Sequence, residues 1–284
     1  MLRLLHISDL HFGPPFVEKI GEAVQRLAPQ LKPDFIVVSG DFTQRAKTAQ
    51  FARAMDFLDR LPDVPKVVTP GNHDVPLYRV VERWQDPFGL YRRYISDELD
   101  RVWRSDEATI VGLNSTSPRA AISNGRIYPA QLDFCKEAFT TDRDGMAKIV
   151  VAHHHFAPAP DYERDQIMPK AKRAMKRFVE MEVDLILGGH LHRSYIGNSL
   201  DIYPSLESGH QGIIIVQCGT TTSRRGRGRE RELNTLNVID FRPNTIHVTH
   251  YMYFDDTGCF EPINNHDFPR RGKRLPNGVV SRDR

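Results

Sequence analysis

The sequence predicts an α/β fold built on parallel strands. Three features carry that expectation: short β-branched runs such as DFIVVSG at 34–40, amphipathic stretches alternating with them, and polar turns that close each run. A continuous apolar run marks a strand covered on both faces. Strands that alternate with helices imply right-handed crossovers.

In chain order, LRLLHIS at 2–8 is the first strand and ends in Asp9. Behind a Gly-Pro-Pro turn, 16–27 has helical spacing in Phe16, Ile20, Ala23, Val24 and Leu27. The strand at 34–40 follows, then the clearest helix, 46–61, with Phe51, Met55 and Leu58 on one face. VPKVV at 64–68 is a third strand. Residues 76–104 read as helical pieces broken at Pro87 and Gly89. Strands are then expected at 108–114, 147–153 and 184–190, with helices at 129–139 and 171–182. From 194 onward the pattern is strands without helices, at 213–218, 235–241 and 245–254, which suggests a second sheet packed on the first. One domain, 1–262, precedes an irregular basic tail, 263–284, that contains RRGKR.

With 284 residues the chain is long enough for a substantial core. A net charge of +3 is too small to indicate a stable nucleic-acid partner. Cys135, Cys218 and Cys259 lie far apart without a CxxC, the usage of a reducing compartment. The first ten residues break where a signal peptide needs its apolar stretch, and no apolar run approaches membrane-spanning length. Together these features predict a cytoplasmic protein.

The chemistry collects at strand ends. Asp9-Leu10-His11 ends the first strand, Gly40-Asp41 the second and Gly71-Asn72-His73-Asp74 the third. His153-His154-His155 and His190-Leu191-His192 end two later ones. The carboxyl ends of parallel strands form one edge, so five separated segments would converge there. In extended backbone, residues two apart (Asp9 and His11, His190 and His192) would point to the same face. A lone DxH or HxH is more often an ordinary hydrogen-bonded residue. Five such clusters, all of N and O donors without thiolate, indicate a hydrolytic site for Mn, Fe or Zn.

The blocks DLH, GD, GNHD, HHH and GHLH, in this order across residues 9–192, resemble the signature of the calcineurin-like metallophosphoesterase superfamily. The resemblance implies a four-layer α/β/β/α sandwich of two mixed sheets, with a dinuclear metal site at the carboxyl ends of the strands. Carried onto this chain, Asp9, His11 and His192 would hold one divalent ion. Asn72, His153 and His190 would hold the other, and Asp41 would bridge them. His153 is preferred because it directly ends its strand; His154 and His155 stay alternatives, the latter placed more toward substrate or behind the ligands. Two divalent ions about 3.5–4 Å apart would activate a shared water for in-line attack on a phosphoryl group. His73 is expected to protonate the leaving group or steady the phosphoryl oxygens, with Asp74 orienting its imidazole.

GNHD fits the phosphodiesterase and nuclease branches, whereas protein Ser/Thr phosphatases usually carry GNHE. The stretch GLNSTSP…GRIYPAQLDF at 112–134 is similar to the branch acting on cyclic nucleotides and glycerophosphodiesters, so a small phosphodiester is the expected substrate. Asn114 and Ser115 either border its pocket or cap a turn. A UDP-diacylglucosamine-type pyrophosphatase and a metal-dependent nuclease are the rivals. The first would need an apolar lid, and Val80, Val81, Trp84, Phe88, Leu90, Tyr91 and Tyr94 either form one or pack on the core. Arg224, Arg225, Arg227, Arg229 and Arg231 could bind phosphates or an anionic membrane surface, or form a solvated loop. A peripheral membrane or lipid-substrate contact is therefore carried as an expectation.

Overall fold

The computed structural model describes residues 1–119, 124–159, 167–206, 212–226, 231 and 233–271. In chain order its first half comprises β1 (Leu2–Ile7), α1 (Glu18–Leu31), β2 (Phe35–Val38), α2 (Thr48–Asp59), β3 (Lys66–Val68), α3 (Val80–Gln85), α4 (Gly89–Tyr94), β4 (Arg101–Arg104) and β5 (Ala108–Leu113). The second half comprises α5 (Pro129–Thr140), β6 (Ala147–Ala152), α6 (Ala171–Glu180), β7 (Leu185–Gly188), β8 (Tyr195–Asn198), α7 (Ser199–Ile202), β9 (Ile214–Gln217), β10 (Thr235–Phe241), β11 (Thr245–Phe254) and β12 (Cys259–Pro269).

Two six-stranded mixed sheets result, in the orders β12-β11-β10-β1-β2-β3 and β4-β5-β6-β7-β9-β8. Strands β1, β2 and β3 are parallel in the first, and β5, β6, β7 and β9 in the second. The period-2 alternation of the strands assigns each side chain to a layer. Leu4, Val37, Ile149, Leu187 and Val248 pack between the sheets. Leu5, Ile7, Ile36 and Val38 face outward onto Val24 and Phe51 of α1 and α2. Val150 and Ile186 face outward onto Leu132, Met175 and Phe178 of α5 and α6. Helix, sheet, sheet and helix are therefore stacked as four layers, and the inner strands are apolar throughout because both their faces are covered.

Several boundaries differ from expectation. The C-terminal strands do not form a sheet of their own: β8 and β9 complete the second sheet, while β10, β11 and β12 extend the first beyond β1. A helical turn, α7, and a 3-10 turn at Pro204–Leu206 interrupt the strands of this region. The tail expected from residue 263 is in fact strand as far as Pro269, because β12 pairs with β11 from Phe254↔Cys259 to Thr245↔Pro269. Residues 272–284 lie outside the described residues. Helix α1 starts two residues late and runs on to Leu31, since Ala28 and Leu31 continue its buried face. The stretch 76–104 ends in a strand, β4, which pairs with β5. Among the described residues no helix is long and apolar enough to cross a membrane.

Candidate metal centre

The loops after β1, β2, β3, β6 and β7 meet at one edge of the two sheets. The first loop does not continue as extended chain. It runs alongside the second, with the Asp9, His11 and Phe12 amides donating to the carbonyls of Gly40, Asp41 and Phe42. Asp9, His11, Asp41, His190 and His192 all take left-handed backbone, φ between 51° and 74°. Asp and His tolerate that region better than most residues, although it still costs energy. The expectation that extended backbone aligns Asp9 with His11 and His190 with His192 is thus corrected. Their side chains converge because each loop turns sharply at alternate residues.

Asp9, His11, Asp41 and His192 each offer an atom within 4.8 Å of the others. His192 Nε2 lies 3.0 Å from His11 Nε2 and 3.1 Å from Asp9 Oδ1. On the other side, Asn72 Oδ1 lies 3.3 Å from His153 Nε2 and 3.0 Å from His190 Nδ1. Asp41 Oδ2 faces both groups, 3.6 Å from His11 Nε2 and 3.4 Å from His153 Nε2. Asp9 Oδ1 and Asp41 Oδ2 are buried without a hydrogen-bond partner. Buried carboxylate oxygens in that condition fit a cation between them.

Backbone and hydroxyl groups hold these side chains from behind. His153 Nδ1 donates to the Ser39 carbonyl at 2.7 Å, and His192 Nδ1 to the Arg225 carbonyl at 2.8 Å. Each contact turns the ring's other nitrogen inward. Asp9 Oδ2 accepts from Ser8 Oγ and from the His190 amide, and Asp41 Oδ1 accepts from the His73 amide. Asn72 lies in a 3-10 turn, Asn72–Asp74, that begins four residues past the end of β3. Gly71 is required there, because a Cβ on it would meet Asp41 Oδ1 at 2.1 Å and Asp41 N at 2.4 Å.

The electrostatics favour the deprotonated forms of Asp9, Asp41, His11 and His190, while His153 holds its proton beside Asp41. Burial pushes the Asp9 and Asp41 carboxyls up, but the surrounding histidines outweigh it and hold both well below the usual range. Burial lowers His11 to about 4 and carries His190 well below its ordinary value. For His153 burial also pulls downward, yet the charge of Asp41 prevails and raises the ring to about 9.

Asp74 does not orient His73. Its carboxylate accepts from the Gly71, Phe42 and Thr43 amides and from Thr43 Oγ1, tying the third loop to the second. Burial and then the charge of Asp41 raise it to about 7. The 3-10 turn points the two neighbouring side chains in different directions, so the expected pairing is corrected. His73 Nδ1 instead donates to the Gln44 carbonyl at 2.9 Å, a partner that sequence spacing did not reveal. Burial lowers the His73 imidazole, with Asp41 opposing.

Of the remaining histidines, His154 has its Nδ1 on Ser115 Oγ and lies close enough to His153 and His190 to join a ligand group. His155 stacks on His190 with both ring nitrogens unpartnered, and burial lowers it to about 4. Asn114 caps a turn through the Thr116 amide. Arg225 belongs to the site's rim, since its guanidinium donates to Gln44 Oε1. Arg224 and Arg231 are exposed, whereas Arg227 and Arg229 lie outside the described residues. The sequence reading also missed the threonines behind β9. Thr220 Oγ1 and Thr222 Oγ1 donate to the Asp9 and Leu10 carbonyls, and Thr221 Oγ1 accepts from the Ser8 amide. Three consecutive threonines after a buried strand were the visible signal.

Over 171 residues the chain is 25% identical to a probable cyclic nucleotide phosphodiesterase of Synechococcus sp., an alignment that covers 59% of this chain and 61% of that protein. The fold is similar to that of a purple acid phosphatase from yellow lupin (Lupinus luteus) seeds, with TM-score 0.70 at 12% identity, covering 94% of this chain and 53% of that one. It is also similar to a dimetal phosphatase from Danio rerio, with TM-score 0.60 at 10% identity, covering 94% and 98%. The chain therefore spans less than two thirds of the Synechococcus and lupin proteins. The calcineurin-like phosphoesterase family matches residues 2–194, well over half of the sequence, and the chain belongs to that family of hydrolases with dinuclear metal sites.

Proposed function

We propose that the chain hydrolyses a small phosphodiester of the cyclic-nucleotide or glycerophosphodiester type, using two divalent ions of Mn, Fe or Zn. The observation that carries this reading is the pair of orphaned carboxylate oxygens, Asp9 Oδ1 and Asp41 Oδ2, buried among imidazoles from both sheets. Two such carboxylates side by side are costly to bury, and cations offset that cost. In this reading Asp9, His11 and His192 hold one ion, Asn72, His153 and His190 hold the other, and Asp41 lies between them. The printed name of the Synechococcus relative supports the choice of a diester. Bound there, the ions would supply Lewis acidity toward a phosphoryl oxygen and lower the pKa of water.

The chain's own residues supply positioning and proton handling. Asn72 contributes an oxygen without a second negative charge, so the edge stays attractive to an anion. A carbonyl can only accept, so the bond to Gln44 places the proton of a neutral His73 on Nδ1. His73 must therefore enter the reaction as imidazolium to donate a proton from Nε2. Arg225, resting on Gln44, brings a fixed positive charge to the same rim.

The test compares Mn²⁺-reconstituted protein on bis(p-nitrophenyl) phosphate, cyclic nucleotides, glycerophosphodiesters and UDP-diacylglucosamine. Hydrolysis of a small diester, lost on chelation and lost with most of the metal in Asp41→Asn, is the expected result. Full turnover after chelation, or an Asp41→Asn variant with normal metal content and turnover, would overturn the metal assignment. Turnover confined to UDP-diacylglucosamine would replace the diester reading with the pyrophosphatase one.

A further inference from the structure

The segment just beyond the Asn72–Asp74 turn is built inside out. Leu77, Tyr78, Val80, Val81 and Trp84 are exposed, the last four by 65% or more, and α3 buries no residue at all. The charged residues Arg79, Glu82 and Arg83 are less exposed than these apolar ones. Arg79 donates to the Ala46 carbonyl and pairs with Glu82, and Arg83 donates to the Pro76 carbonyl. The apolar residues farther along the stretch behave differently, with Phe88 and Tyr91 buried against the first sheet's helical layer. The lid-or-core alternative thus divides within the segment: 88–94 packs, and 77–84 does not. A contiguous apolar surface of this kind marks a docking site.

The surrounding charge says what would dock. Arg45 lies over the Tyr78 ring at 5.6 Å and Arg119 over the Trp84 ring at 5.4 Å. Arg92 and Arg93 are exposed nearby in sequence. Two ion pairs, Glu82 with Arg79 and Asp86 with Arg92, cancel in charge, which leaves Arg45, Arg93 and Arg119 as the positive charges around the segment. An exposed face of Trp, Tyr, Val and Leu flanked by Arg45 and Arg119 complements a bilayer interface that carries negative headgroups. Aromatic rings with a polar edge settle at the headgroup level, and each cation near the surface strengthens binding.

We propose that residues 77–84 are a docking surface for an anionic phospholipid bilayer, with Arg45 and Arg119 flanking the contact. Such docking would hold the mouth of the metal centre at the lipid–water boundary. Arg45 follows Gln44, whose carbonyl holds His73, and Tyr78 lies five residues beyond His73. The inference stands on exposure and charge and does not depend on the phosphodiester reading.

The protein carries its own reporter. Of its two tryptophans, Trp84 is 65% exposed and Trp103 is 9% exposed in the inter-sheet core. The full-length chain is mixed with vesicles of phosphatidylcholine alone, or of phosphatidylcholine doped with phosphatidylglycerol. Tryptophan emission and co-sedimentation are followed together. The expected result is a blue shift and sedimentation with the anionic vesicles, abolished by Val80→Ser combined with Val81→Ser. Removing one flanking cation with Arg119→Ala should weaken binding about fivefold. Solution hydrolysis of bis(p-nitrophenyl) phosphate should be unchanged in these variants, so a failure here is distinct from a failure of the proposed activity. Absence of binding, equal binding to neutral vesicles, or equal binding by the serine variant would overturn the proposal. So would self-association through this face, seen as a dimer by light scattering that the serine variant turns into a monomer.

Discussion

Gly71→Ala isolates the contact that sets the position of Asp41. The backbone of Gly71, at φ −103°, is open to any residue, so the substitution introduces no backbone strain. Only the new Cβ matters, and it arrives 2.1 Å from Asp41 Oδ1 where real contacts keep at least 3.0 Å. Rotating the carboxylate alone cannot relieve this, since the Asp41 backbone nitrogen is also too close at 2.4 Å. The second and third loops must therefore move apart, which carries the carboxylate away by nearly the difference. Overpacking of this kind costs about 1–3 kcal/mol, against a total stability of about 5–15 kcal/mol, so the variant should fold. Misplacing a catalytic group by about 1 Å can cost about 10²-fold in rate. Turnover of bis(p-nitrophenyl) phosphate with Mn²⁺ should fall by about that factor, with reduced metal content by elemental analysis and a melting curve that stays cooperative. Gly197→Ala is the control, because its Cβ would meet only the terminal methyl of Ile202, at 3.1 Å. If Gly71→Ala kept its full metal complement and turned over within about twofold of wild type, the idea that this glycine fixes Asp41 would be wrong.

Two further outcomes are expected. His73→Ala should keep near-normal metal content while losing about 10²–10⁴-fold in turnover on substrates with poor leaving groups, and much less on nitrophenyl esters; an equal loss on both would argue for electrostatic steadying of the phosphoryl group instead of proton transfer. In metal-free protein the folded-state value of His153, about 9, lies above its ordinary 6.5, so its contribution to stability is complete below pH 6.5 and is lost as pH rises through 9. Thermal melts of chelated protein across that window should show a falling midpoint, and divalent ions should remove the trend by taking over the role of that proton. A flat profile without metal would contradict the pairing of His153 with Asp41.

The residues that gather at the candidate metal centre were readable in the sequence because hydrolytic metal chemistry calls for uncommon residue types at uncommon places. Asp9, His11, Asp41, Asn72, His153, His190 and His192 each follow an apolar run, and the carboxyl ends of parallel strands lie at one edge whatever the strand order. Burial of the inner strands on both faces was legible for a related reason, since runs such as FIVV are apolar throughout; the four layers themselves came with the family resemblance.

What only the tertiary structure decided concerns partners rather than types. An apolar strand does not encode its neighbour, so nothing local could say that β8 and β9 join one sheet while β10, β11 and β12 join the other. Nor could spacing separate His73 from Asp74, which diverge because a 3-10 turn sends one toward Gln44 and the other beneath the second loop's amides. Hydrogen bonds that tie the Ser39 and Gln44 carbonyls and the 220–222 threonines to distant loops lie outside any periodic pattern. The inverted exposure of α3 is of the same kind. Its apolar residues would suit a buried face equally well, and the folded chain leaves them exposed while Arg79 and Arg83 bond the Ala46 and Pro76 carbonyls. Residue type and local spacing determine what a strand end can bind; long-range packing determines which groups face each other, because it joins residues far apart in the chain.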